Sequence, residues 1–201
     1  MAMGTRIRSI GKEVLAIGAL ALVLFSGRSS LADHYVVPTS SMEYTLMPGD
    51  RVLVNKTTYG IRVPFLGWQL TGGDTPEVGE VVVFDSPETG KRLIKRVVAV
   101  ADDEVEIRRG ELLVNGETRK ISEDAWIEGF GERRAELNLS NGGGGPYGPV
   151  AIEPGHVLVM GDYRGNSHDG RMFGRISEAS IYGRAIAVFL RRGEGFVWRP
   201  L

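Results

Sequence analysis

The sequence predicts a mainly β protein with one apolar segment near its N-terminus, on three observations. Short runs of Val, Ile and Leu bounded by Gly, Asp, Asn or Pro recur from residue 51 onward, which is the strand signature. No amphipathic helical run of normal length follows residue 32. Arg6, Arg8 and Lys12 precede an apolar stretch from Val14 to Phe25, closed by Ser26, Gly27 and Arg28.

Composition narrows the classes. A chain of 201 residues holds one ordinary domain plus a small insertion or a membrane anchor. With 42% hydrophobic and 24% charged residues it has globular composition, so disorder is not the default. The net charge is −1 without a long block of one sign, so no nucleic-acid partner is expected. Cysteine is absent, which excludes disulfides, thiolate metal sites and a Cys nucleophile. The histidines, His34, His156 and His168, lack the spacing of a metal site, and neither metal nor cofactor is expected. Of the 24 basic residues only Lys12, Lys56, Lys91, Lys95 and Lys120 are lysines. Arginine keeps its proton at working pH, so any amine base has few candidates.

Taken in order, residues 1–12 form a basic n-region whose charge asymmetry predicts an N-in, C-out orientation. The apolar core after it is short, roughly 20 Å as a helix against about 30 Å of hydrocarbon. A cleavable signal peptide ending at Ser30-Leu31-Ala32 fits this segment. So does an uncleaved anchor from about Ile10 to Leu31, with Lys12 and Arg28 reaching the two interfaces. Either way the rest of the chain is exported.

Strands are predicted over residues 51–55, 80–84 and 92–100, the last apolar on both faces apart from Lys95 and Arg96, as in an interior strand. Residues 103–108 and 111–114 form a hairpin through Arg109-Gly110, and Asn115-Gly116 supplies a second turn. Residues 156–160 and 183–190 are two further strands. Between the Asn115-Gly116 turn and the strand at 156–160 the pattern loosens over 117–154, which includes Asn141-Gly-Gly-Gly-Gly-Pro146. This segment reads as an inserted cap between two halves of a β core, 32–116 and 155–201.

Three constellations carry chemistry. Thr39, Ser40 and Ser41 sit in a Pro-bounded turn, where an ordinary Ser/Thr turn is the bland alternative. Lys95 shares a strand face with Leu93, Val97 and Ala99. Desolvation there lowers a lysine pKa and frees the amine to accept a proton from a hydroxyl. A snorkelling or carboxylate-paired lysine is the alternative. The third is the Gly-rich run 161–174, in which Asp169 and Arg171 are able to pair and Ser167 to orient an amine. A Ser41–His168–Asp169 triad is disfavoured because adjacent residues do not suit the carboxylate–imidazole geometry.

Together and in this order these motifs resemble the type I signal peptidase family from about residue 10 to 190. Pro38-Thr-Ser-Ser41-Met42 with Thr45-Leu46 is similar to the nucleophile segment, Gly49-Asp50-Arg-Val-Leu-Val-Asn-Lys56 to the segment after it, and Lys95-Arg96-Val97-Val98 to the lysine segment. Gly161-Asp162, Arg164, Asn166-Ser167, Asp169, Arg171 and Gly174 are similar to the last motif. The resemblance implies a signal-peptidase-like β fold behind one transmembrane helix at 13–31, retained rather than cleaved. It implies Ser41 as nucleophile and Lys95 as general base, with the Ser41 N–H and Thr39 side chain as oxyanion donors. Ser167 would orient Lys95, and Asp169 with Arg171 would brace the loop. Val37, Pro38, Met42, Leu46, Leu93 and Ile94 match pocket-lining positions.

The implied substrates are signal peptides of exported preproteins, cut at small-x-small sites by an enzyme bound to membrane lipid. The implied place is the bacterial cytoplasmic membrane, with the catalytic domain on the periplasmic side. Ser40, Tyr44, Tyr163, Gly165, Gly170 and Ala101-Asp102-Asp103 depart from the family's usual residues, and Ser40 and Tyr44 bear on substrate preference. Competing readings are a dedicated pilus or conjugation peptidase with the same chemistry, and a non-catalytic membrane-tethered β protein.

Overall fold

A computed structural model describes residues 32–60, 71–122 and 126–201. The span expected at 13–31 lies outside these residues. Among them no helix is long and apolar enough to cross a membrane.

The architecture is mainly β. Strands β1 (Ala32–Val36), β2 (Arg51–Asn55), β3 (Val81–Asp85) and β4 (Arg92–Ala99) lead into β5 (Glu104–Arg108), β6 (Glu111–Val114) and β7 (Glu117–Thr118). Then come β8 (Ile127–Phe130), β9 (Arg133–Glu136), β10 (Tyr147–Ala151) and β11 (His156–Met160). A one-turn helix at Gly170–Phe173 precedes β12 (Ile176–Ser177), β13 (Ile181–Arg191) and β14 (Gly195–Pro200). The larger sheet has the order β1-β2-β13-β3-β4-β11-β12, with β14 also on β13. Besides β2, the long β13 accommodates two further partners by lying against β3 near its start and β14 near its end.

Strand β4 is central, and every residue from Ile94 to Ala99 is buried. That explains its two-faced apolar sequence. One face of the large sheet gathers Val37, Met42, Leu46, Val52, Val54, Val81, Val83 and Ile94. Another cluster packs Tyr59, Val82, Phe84, Val97, Val157 and Val159.

The second sheet has the order β10-β5-β6-β7, and β8 and β9 form a separate hairpin. Strand β10 lies in the segment read as an insertion, yet it pairs with β5 from the segment read as core. The boundary placed at residue 117 therefore runs through this sheet. Its side chains pack with Val98, Ala99, Leu158 and Met160 of the large sheet. At the β5–β6 turn Arg109 and Gly110 both have positive φ, as do Asn115 and Gly116 at the next turn. Asn and Gly tolerate that conformation readily, so the hairpins close where the sequence predicts them.

Candidate active site

Two chain segments meet on β4. The first is the loop 37–50 between β1 and β2, whose neck is closed by hydrogen bonds from the Val37 N–H to the Asp50 carbonyl (2.9 Å) and from the Gly49 N–H to the Val37 carbonyl (2.8 Å). Met42 and Leu46 have no exposed surface and pin the loop into the core. Burial of one such side chain is worth about 1.5–3 kcal/mol. Ser41, immediately before Met42, is thereby held against the sheet and is itself buried. The buried Asp50 carboxylate accepts from the Met47 N–H (2.9 Å) and from Arg191 at the end of β13 (2.6 Å), fixing the far side of the loop.

The second segment leaves β11. Met160 lies opposite Arg96, so the next residue, Gly161, emerges beside Lys95. A β-carbon at Gly161 would stand 2.4 Å from the Ser41 carbonyl oxygen and 2.2 Å from Ser167 Oγ. Only glycine permits this approach. The Ser41 carbonyl also accepts the Tyr163 N–H at 3.1 Å.

These placements bring Lys95 Nζ to 2.5 Å from Ser41 Oγ, and Thr39 Oγ1 to 3.4 Å from the same oxygen. Lys95 is only 3% exposed. Burial lowers its pKa to about 8 from an ordinary 10.5, with Asp169 and Asp162 opposing the shift and Arg171 reinforcing it. Both carboxylates are committed to arginines. Asp162 accepts from Arg96 at 3.0 and 2.7 Å and from the Thr45 hydroxyl at 2.5 Å. Asp169 accepts from Arg171 (2.8 Å twice) and from the Gly161 N–H (2.9 Å). Burial acts to raise the Asp169 carboxyl, but Arg171 and the Gly161 amide outweigh it and hold the pKa below its usual value. A serine hydroxyl touching a desolvated amine, with a further hydroxyl alongside, suits acyl transfer.

The other residues singled out in the sequence are distributed as follows. Ser167 Oγ is buried and makes no hydrogen bond, to Lys95 or any other group, although its dipole still favours the Asp169 carboxylate. Val37, Met42, Leu46 and Ile94 form part of one buried cluster. Leu93 belongs to a different cluster and is half-buried, while Pro38 is exposed. His168 turns away from Ser41, with Nε2 2.8 Å from Glu88 Oε2. Asp169 faces Arg171, so no triad forms.

Sequence reasoning missed the ion pairs behind the site: Arg96 with Asp162, Arg164 with Glu128, and Arg191 with Asp50. It also missed Asn138, whose N–H donates to the Asp162 carbonyl and whose carbonyl accepts from the Arg164 N–H. One signal was present. An arginine inside an apolar strand requires a buried carboxylate partner, and Arg96 was such a residue.

Comparison with known proteins agrees with these motifs. A family model described as "Signal peptidase, peptidase S26" matches residues 10–190. A signal peptidase I from Pseudomonas fluorescens is 32% identical over 90% of this chain and 71% of its own length. One from Bacillus amyloliquefaciens is 33% identical over 89% of this chain and 83% of its own. A solved signal peptidase I from Enterococcus faecalis aligns with a TM-score of 0.38 at 24% identity, over 55% of this chain and 97% of that one. The chain thus belongs to the signal peptidase family, peptidase S26, and is a serine endopeptidase of the type I signal peptidase kind.

Proposed function

We propose that the protein removes signal peptides from exported preproteins by Ser-Lys chemistry, with Ser41 as nucleophile and Lys95 as general base. The observation that carries this reading is the 2.5 Å approach of buried Lys95 Nζ to Ser41 Oγ. Neutral Lys95 takes the Ser41 hydroxyl proton as Oγ bonds to the scissile carbonyl carbon. The resulting oxyanion accepts from the Ser41 N–H and the Thr39 hydroxyl, each such donor being worth about 3 kcal/mol. As the C–N bond breaks, the Lys95 ammonium returns its proton to the leaving amine. Lys95 then deprotonates a water that attacks the acyl ester, releasing the product acid and restoring Ser41. Ser167, whose buried hydroxyl is unpartnered in the resting geometry, turns to orient neutral Lys95, while Asp169 and Arg171 brace the loop.

In this reading Pro38 and Leu93 flank the substrate chain, and Val37, Met42, Leu46 and Ile94 form the packed floor beneath it. A floor without spare volume accepts Ala-sized side chains and rejects larger ones, because these would have to displace close-packed groups. The segment at 13–31 anchors the chain in the cytoplasmic membrane as a single span, with the β sheets on the periplasmic side.

The test is cleavage of a preprotein bearing an Ala-x-Ala site by the full chain in detergent, beside Ser41→Ala and Lys95→Ala. Wild-type cleavage with both variants silent is expected. Silence of the wild type on several preproteins would defeat the substrate assignment, and activity in either variant would defeat the dyad.

A further inference from the structure

We propose that Glu128, on the β8–β9 hairpin, is a positioning residue for Ser41, acting through Arg164 and Gly161. The inference rests on the reading of Ser41 and Lys95 given above. Arg164 is the largest fully buried side chain among the described residues. Its guanidinium donates to both Glu128 carboxylate oxygens, from Nη1 at 2.7 Å and also from Nη2. Its Nε donates to the Gly161 carbonyl at 3.1 Å. The other side of Gly161 is held as well, since its N–H donates to Asp169. Gly161 is thus clamped through both its N–H and its carbonyl, and the place of its missing β-carbon is taken by the Ser41 carbonyl and Ser167 Oγ.

The chain of contact from Glu128 to the nucleophile is therefore short and continuous: carboxylate, guanidinium, glycine, serine. Two parallel ties join the same elements. Asn138 bridges Tyr163 through the backbone, and the Ser140 and Tyr163 hydroxyls lie 2.7 Å apart. Tyr163 in turn donates its N–H to Ser41. The hairpin and the segment 137–140 after it sit outside the large sheet, yet their polar contacts converge on the loop that cradles the nucleophile. A buried charge pair of this kind is a poor source of stability, but it enforces one geometry.

The test is the full chain in detergent carrying Glu128→Leu with Arg164→Met, which removes both charges and leaves apolar groups of similar volume. Melting temperature, kcat, KM and amide hydrogen exchange are measured beside wild type, Ser41→Ala and Lys95→Ala. The proposal expects a folded protein whose kcat falls about tenfold to a hundredfold with KM within about twofold, as misplacement of a reacting group would do. It also expects faster exchange at Gly161 and Tyr163 while β2 and β13 are unchanged.

Glu128→Gln, which keeps the shape and one acceptor, should show the same split in milder form. A folded double variant with wild-type kcat overturns the proposal and leaves the dyad standing. Cleavage by Ser41→Ala or Lys95→Ala overturns both. Failure of both Glu128 variants to fold would make the residue structural and overturn the positioning role.

Discussion

Lys95 is buried while both carboxylates that influence it, Asp162 and Asp169, are held by arginines. This arrangement leaves the amine desolvated without an ion pair to restore its proton. The kinetic consequence is an acid limb. In the proposed mechanism only neutral Lys95 is active, so kcat/KM should rise tenfold per pH unit below about pH 8 and level off above it. A pH–rate profile flat from 6 to 9 would exclude Lys95 as the base. The thermodynamic consequence has the opposite sign from an ordinary salt-bridged lysine. The folded chain binds this proton less tightly than the unfolded chain, with a pKa of about 8 against 10.5. Stability is therefore reduced by about 3 kcal/mol below pH 8 and recovers as pH rises toward 10.5. Lys95→Met should accordingly melt higher than wild type at pH 7 while being inactive. Calorimetry showing a lower melting temperature for that variant would contradict the desolvation argument. The residue's character was legible beforehand, because strand alternation placed it among Leu93, Val97 and Ala99. Ser41 was legible only through its family resemblance; nothing in a run of three hydroxyl residues separates it from its neighbours.

At the scale of elements, the site depends on how two loops leave the sheet. Gly161→Ala introduces a methyl against the Ser41 carbonyl and Ser167 Oγ, both inside 2.5 Å. Backbone on one side cannot yield, so the 161–174 loop must shift. We expect kcat to fall about a hundredfold, with little change in the far end of the sheet by hydrogen exchange; near-normal kcat would show that the loop tolerates displacement. Arg191→Met strips the buried Asp50 of its charge partner at the base of the Ser41 loop. Leaving one member of a buried pair costs about 3–5 kcal/mol, and denaturant melts should show a loss of that order. An effect below about 1 kcal/mol would mean Asp50 is adequately held by the Met47 N–H alone.

Most strands of the large sheet were readable because β-branched runs between Gly, Asp and Pro stop and start sharply. Strands β1, β7, β8, β9, β10, β12 and β14 were not. The Arg133–Glu136 strand reads as a charged stretch, and its pairing with Ile127–Phe130 supplies what its composition does not. Phe196 and Trp198 are largely exposed on β14, so that strand shows no buried-face alternation to detect.

Across the whole molecule, the candidate active site assembles from residues far apart in sequence: Ser41, Lys95 and the 161–171 loop, held by ion pairs spanning 66, 36 and 141 positions. Such partners are invisible to local pattern, since any of several carboxylates could serve each arginine. The same layout makes a prediction about the N-terminus. The three buried clusters of the described residues draw on nothing before Val37, apart from Tyr35 packed at the edge of one. Strand β1 begins at Ala32, opposite Asn55. Under the proposed anchor role, removing residues 1–31 should leave the sheets and the Ser41–Lys95 contact intact. If those residues act only as the proposed anchor, a short soluble Ala-x-Ala peptide should be cleaved by the truncated and full chains at rates within about twofold. A preprotein inserted in vesicles should behave differently. Tethering holds enzyme and substrate on one surface at a high effective concentration, and its loss should cost about a hundredfold in kcat/KM. Equal loss on both substrates would mean that the N-terminal segment is part of the catalytic fold. Full activity of the truncated chain on the embedded preprotein would instead remove the anchor from the account of function, leaving the β sheets to find the membrane by themselves.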